Sequence, residues 1–220
     1  IAFYMTVDEN VVNDFIMNNN TTNGTFNLEN HYLLNMFNNP YDSYTCMNAA
    51  MVYYKNGKYA PAMALLERAC EYDTFRSKNE LYEALYGLAM IMVTAGKRDT
   101  SEISLWMKMI EILPNRGEGY IMASRFYAAR NRWSEALTLA NLANHKAYCV
   151  GQYFVLPDIF DKIIMIMKCQ YMTGSSHMGV EMCERIEKDY APQLSDEQKK
   201  TLAMFKIEAL QNKQNVKRIL

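Results

Sequence analysis

The sequence predicts an all-α chain, an α-solenoid of about four degenerate helix pairs closed by a C-terminal capping helix. Three observations point there. Glycine and proline are sparse, at 9 and 5 residues, and fall between apolar blocks as punctuation between helices does. Within the blocks apolar residues recur at spacings of three and four, and no block sustains the period-two alternation of a strand, so sheet content near zero is expected. Small and aromatic residues also return in the same order at a spacing of several tens of residues, the mark of a repeat.

Residues 1–38 form an irregular N-terminal segment. Ile1 to Met17 reads as one helix, or as a short extended piece followed by a helix, and the Asn/Thr/Gly run from Asn18 to Asn27 reads as a loop. Leu28 to Phe37 offers Leu33, Leu34, Met36 and Phe37 on a helix. Residues 39–194 carry the repeats. In the first, Ala49, Ala50, Tyr53, Gly57, Tyr59, Ala62, Leu66 and Ala69 occupy the key positions. Tyr120, Ala123, Tyr127, Trp133, Ala136, Ala140 and Ala143 fit the same frame. Weaker copies run through Leu85, Leu88, Ala89, Gly96, Trp106, Met109 and Pro114, and then through Ile163, Ile166, Met167, Gly174, Gly179, Cys183 and Ile186. The glycines Gly57, Gly96, Gly174 and Gly179 are expected to turn corners. A helix of about 14 residues is marginal alone, so each must bury an apolar stripe on its partner, and alanine at the crossing permits that approach. Residues 195–220 form the capping helix, opened by a capping box of Ser195 and Gln198, with Leu202, Phe205 and Leu210 covering the last pair.

This pattern of small residues and aromatics resembles the tetratricopeptide repeat. Its frame starts near Ser43, Tyr82, Glu118 and Phe160. Successive starts lie further apart than the family period of about 34 residues, so the array carries inserts. A narrower likeness covers Asn39 to Leu210: the chain resembles the helical-repeat region that follows the catalytic domain in certain family-2-like glycosyltransferases. It rests on Pro114, Arg116 and Glu118 before a Tyr-rich helix, on Phe154, Val155, Asp158, Phe160 and Asp161 in an insert, and on Tyr171, Thr173 and Gly174. That resemblance implies a catalytic neighbour and not an activity here, because such transferases need an Asp-x-Asp metal motif that this sequence lacks.

The composition excludes several classes. Half the residues are hydrophobic and 21% are charged, the balance of a folded protein. A net charge of −1 gives no field toward nucleic acid or an anionic membrane surface. No apolar run approaches the ~20 residues of a membrane span, so no membrane insertion is expected, and a cytoplasmic location is the default, with a virion or organelle assembly as the alternative. A first residue of Ile rather than Met is compatible with a piece of a longer protein. The sequons at Asn19, Asn20 and Asn23 matter only in a secretory pathway. The five cysteines are odd in number and widely spaced, mostly in apolar runs, and are expected to be free core residues.

Each candidate for chemistry loses to a structural role. His145 and Cys149 lie four apart, but no second cysteine pair completes a zinc site, so no metal is expected. Cys149 or Cys183 with His177 lacks an oxyanion donor and an orienting acid. Asp158 and Asp161 are better read as the cap and dipole partner of a following helix. No catalytic residue and no cofactor is expected in this chain. What remains is a surface. By the tetratricopeptide resemblance, positions on the first helix of each pair face a concave groove: Tyr44, Met47, Met51, Tyr54, Lys55, Glu83, Tyr86, Met90, Arg125, Lys168, Tyr171 and Met172. Tyrosine and methionine give contact area, and arginine or lysine can fix an acidic group. The expectation is a non-catalytic interaction module holding a protein or peptide partner, alone or within a larger complex. The competing reading, that neighbouring elements fill the groove permanently, stays open, as do part of a glycosyltransferase and a structural component of a large assembly such as a virus particle.

Overall fold

The computed structural model describes residues 31–219 except 33, 34, 37, 97–99, 152, 153, 155, 191 and 193. Residues 1–30 of the irregular segment 1–38, its sequons, and the expectations at Leu33, Leu34, Phe37 and Val155 lie outside the described residues. Among the described residues the regular elements are all helices: α1 (Ser43–Lys55), α2 (Tyr59–Tyr72), α3 (Lys78–Thr94), α4 (Thr100–Ile112), α5 (Glu118–Ala128), α6 (Trp133–Ala143), α7 (Ile159–Met172), α8 (Ser176–Tyr190) and α9 (Asp196–Ile219). The one β-like feature described is an isolated bridge between Arg116 and Ala147. The helices that open each pair begin at or within four residues of the frame starts read from the sequence.

The helices fall in two compact units, Ile1–Gly119 with Lys146–Leu156, and Tyr120–His145 with Pro157–Leu220. In the first, Asp42 caps α1 by accepting the Thr45 N–H at 2.8 Å. Gly57 turns the corner into α2 at φ +71°, where a Cβ is unfavourable. Ala49, Ala50, Ala62 and Ala69 are all buried where α1 meets α2, and the buried Ser43 hydroxyl donates to the Ala69 carbonyl at 2.7 Å. Ser77 and Glu80 open α3: the Ser77 hydroxyl accepts the Glu80 N–H at 3.3 Å, and Glu80 accepts the Arg76 N–H at 2.9 Å. Every residue of α3 from Leu81 to Met92 is buried, the condition of a helix covered all round. Trp106 and Met109 of α4 are fully buried.

In the second unit the buried Ser124 hydroxyl donates to the Ala136 carbonyl at 2.6 Å, and Ala136, Ala140 and Ala143 are fully buried. The corner between α5 and α6 is made by Asn131 at φ +59° rather than by glycine, because asparagine tolerates the left-handed region. Gly174 turns α7 into α8 at φ +87°. Gly179, against the expectation from sequence, does not turn a corner. It lies within α8, where an added Cβ would stand 3.2 Å from the Phe205 ring and 3.4 Å from the Met167 carbonyl, so it serves close packing. Met167, Cys183, Ile186 and Leu202 form a core that Phe160, Ile163 and Phe205 adjoin. Ser195 and Gln198 make the anticipated capping box, at 2.9 and 3.2 Å. The Leu210 side chain lies outside the described residues.

Candidate functional site

The second unit contains a cleft of about 340 Å³ lined by Arg125, Ala128 and Ala129 of α5 and the turn after it, Trp133 at the start of α6, and Asp161, Ile164, Met165 and Lys168 of α7. The first helices of two successive pairs supply most of its walls. Arg125 and Lys168, both expected from sequence, line it together. An Arg125 amino group donates to Asp161 Oδ1, while the other faces Met122 Sδ at 3.6 Å. Asp161 Oδ2 accepts the Asp158 N–H at 3.2 Å and Asp158 accepts the Asp161 N–H at 2.9 Å, the full capping box of α7. The carboxylate that orients Arg125 is thus itself fixed by the helix start. The Lys168 ammonium lies 6.0 Å from the centre of the Trp133 ring, within reach of its π face. Two cations and one carboxylate give the cleft a surplus positive charge beside apolar walls of alanine, isoleucine, methionine and indole. Serine, cysteine and histidine are missing from its lining. The arrangement suits an acidic group held by cations with an apolar neighbour laid against Trp133 and Ile164.

The other groove positions fare differently. Met47, Met51, Tyr86 and Met90 are buried, at 0%, 2%, 2% and 8% exposure, as is Glu83 at 4%, so they do not line an accessible groove in this structure. Other elements of the first unit cover them: Tyr86 is held between Trp106 and Phe154 at ring separations of 5.7 and 6.0 Å. Tyr44, Tyr54 and Lys55 stay partly or fully exposed on α1, with the Arg76 guanidinium 4.9 Å from the Tyr44 ring and Tyr54 5.7 Å from Tyr59. Tyr171 stacks edge-on to Phe205 at 5.7 Å, and Met172 is 45% exposed. Sequence reasoning does not mark Trp133 and Asp161 as site residues, because each already has a structural role, as repeat position and as helix-dipole partner. The signal that adds them is their place at the helix starts flanking Arg125 and Lys168.

The first of the stretches that carry the narrower resemblance is a fastening. Arg116 and Glu118 form a buried two-point ion pair, Nη2 to Oε1 at 2.7 Å and Nε to Oε2 at 3.2 Å. Tyr82 lies under the guanidinium at 4.3 Å, donates to Glu118 at 3.3 Å and accepts the Gly119 N–H at 2.8 Å. Burial, and next the Glu118 charge, push the Tyr82 phenol far above its usual pKa. Burial opposes the Arg116 charge, but the bonds and charge of Glu118 outweigh it and raise the Arg116 pKa. His145 and Cys149 both lie beyond the end of α6, so the helical spacing of a metal pair does not arise. All five cysteines are free; Cys46, Cys169 and Cys183 are buried, Cys70 is half-buried, and Cys149, against expectation, is exposed.

Solved structures share this architecture. A MamA protein aligns at 15% identity and a TM-score of 0.58, over 76% of this chain and 85% of that one. YrrB, described as a TPR protein with an unusual peptide-binding site, aligns at 13% identity and 0.59, over 92% and 86%. A Podosopora anserina protein described as a putative kinesin light chain with nearly identical TPR-like repeats aligns at 19% and 0.57, over 79% and 89%. The chain has the tetratricopeptide-repeat fold. At these identities the likeness establishes architecture alone, and within the tetratricopeptide frame α5 and α7 are first helices of successive pairs, the elements that line the cleft. No family model and no curated protein matches the sequence. No described helix is long and apolar enough to cross a membrane.

Proposed function

We propose that this chain is a protein-interaction module of tetratricopeptide type that holds an acidic, extended segment of a protein partner in the cleft between α5 and α7. The convergence of Arg125 and Lys168 on one cleft floored by Trp133 carries this reading. A carboxylate is an acceptor with no proton to offer at neutral pH, and Lys168 presents three donors on an exposed stem. Arg125, held by Asp161, adds field at fixed geometry, and the alanine and Ile164 walls accept an aliphatic neighbour. The peptide-binding site of YrrB, in a chain of the same fold, supports this use of the scaffold.

An immobilised peptide array with one fixed glutamate flanked by varied residues tests it. The protein should bind glutamate-bearing peptides over glutamine-bearing ones, with affinity falling as salt rises. Lys168→Glu should weaken the best peptide by about tenfold or more while helicity stays native, since loss of a charge-assisted hydrogen bond of about 1.5–3 kcal/mol is at stake. Equal binding by the variant would move the site elsewhere.

A further inference from the structure

The segment 146–156, which follows α6 in sequence, packs into the first unit. The Gly117 N–H donates to the Ala147 carbonyl at 2.8 Å, the Ala147 N–H to the Asn115 carbonyl at 2.9 Å, and the Cys149 N–H to Glu118 Oε1 at 3.0 Å. Beyond this tether Phe154, 5% exposed, drives its ring tip into a notch on α3. The notch exists because residue 87 is glycine: a Cβ there would stand 2.0 Å from the Phe154 Cζ. Gly87 lies mid-helix with no positive φ, so its backbone needs no glycine, and glycine in a helix interior is unfavourable relative to alanine. The missing methyl is therefore used for the ring alone. Tyr86 meets Phe154 edge-on at 6.0 Å and is itself backed by Trp106. Val150, at 98% exposure, and Cys149 are exposed, while Phe154 and Leu156, at 5% and 9%, are the buried apolar residues described in this segment, and the Tyr148 ring lies against Gly117.

We propose that the Gly87 notch is a recognition site for a phenylalanine carried on an extended apolar peptide, occupied in cis by Phe154 until a partner presenting such a segment displaces it. The proposal rests on the reading of the chain as an interaction module but concerns a second site, in the other unit. The hydrogen bonds at Ala147 and Cys149 lie upstream of the ring and do not involve Phe154 itself. A tethered occupant acts at an effective concentration in the millimolar range, so the closed form dominates and a ligand in trans competes against it.

The probe is a fluorescein-labelled synthetic peptide of residues 150–157, Val-Gly-Gln-Tyr-Phe-Val-Leu-Pro. Phe154→Ala should bind it at least tenfold more tightly than the wild type, and the double variant Gly87→Ala/Phe154→Ala should lose that gain because the added methyl fills the notch. The same peptide with alanine in place of its phenylalanine should not bind. Lys168→Glu in the Phe154→Ala background should leave the affinity unchanged, which separates this site from the acidic-segment cleft. Failure of natively helical Phe154→Ala to bind, equal binding of the alanine peptide, or loss of binding with Lys168→Glu would each overturn the proposal. Should Phe154→Ala not fold, the wild type decides: millimolar unlabelled peptide should speed amide exchange across residues 146–156 several-fold, and unchanged exchange overturns it.

Discussion

Glu118 is fully buried, and Arg116 satisfies its carboxylate by two direct bonds and Tyr82 by a third. Removing one member of such a set leaves the other charge buried and unpaired. Glu118→Ala should therefore destabilise the protein by about 3–5 kcal/mol, read as a shift of the urea unfolding midpoint. The thiols make a second case. Burial pushes Cys70 up to about 12 and Cys169 and Cys183 up to about 11 from 9.0, whereas Cys149 is exposed. At neutral pH a thiol-reactive dye should label Cys149 first, with the buried thiols reacting only as the protein opens. A thiol whose folded pKa lies above its unfolded value favours folding above the unfolded pKa no longer, because the unfolded chain then gains by ionising while the folded one cannot. Thermal stability should accordingly fall between about pH 9 and pH 11. The Arg116–Glu118 pair is visible in sequence only as a string of residue types. Nothing along the chain says that Tyr82, more than thirty residues earlier, closes the network.

At the scale of elements, the local signals are the dependable ones. Asp158 and Asp161 read as a helix start, and the structure shows both halves of the box. Ser195 with Gln198 does the same for α9. Caps are readable because both partners lie within three residues of one another, and Asp158→Ala should cost about 1 kcal/mol in chemical denaturation. It should also loosen Asp161 and with it the Arg125 side of the cleft. The small residues at helix crossings are readable for a related reason, as only small side chains let backbones approach. Ala136, fully buried beside Ser124, should tolerate leucine poorly, losing about 1–3 kcal/mol through overpacking in a melting experiment. Gly179 shows where the sequence misleads: glycine signals both a corner and a close crossing, and only the position of Phe205 distinguishes them.

For the molecule as a whole, the described helices make circular dichroism dominated by helix the expected result. The last helix is tied to the second unit by Leu202, fully buried, by Phe205 against the core of Met167, Cys183 and Ile186, and by the Lys206–Glu187 ion pair. Deleting residues 195–220 should uncover that core, lower the melting temperature and make Cys183 reactive to a thiol dye at neutral pH. Intact protection of Cys183 would show that α8 buries it unaided. The sequence by itself determined the helical class, the starts of the pairs, the caps and the small residues at the crossings, because helix period, capping and close approach depend on neighbours within a turn or on residue size. Tertiary structure alone decided which of the expected groove positions are exposed. Met47, Met51, Tyr86 and Met90 share the pattern of Arg125 and Lys168, yet they are buried and the two cations line a cleft. Exposure is set by what packs against a helix from distant parts of the chain, and for Tyr86 it is set by Phe154, a residue of an insert nearly seventy positions away.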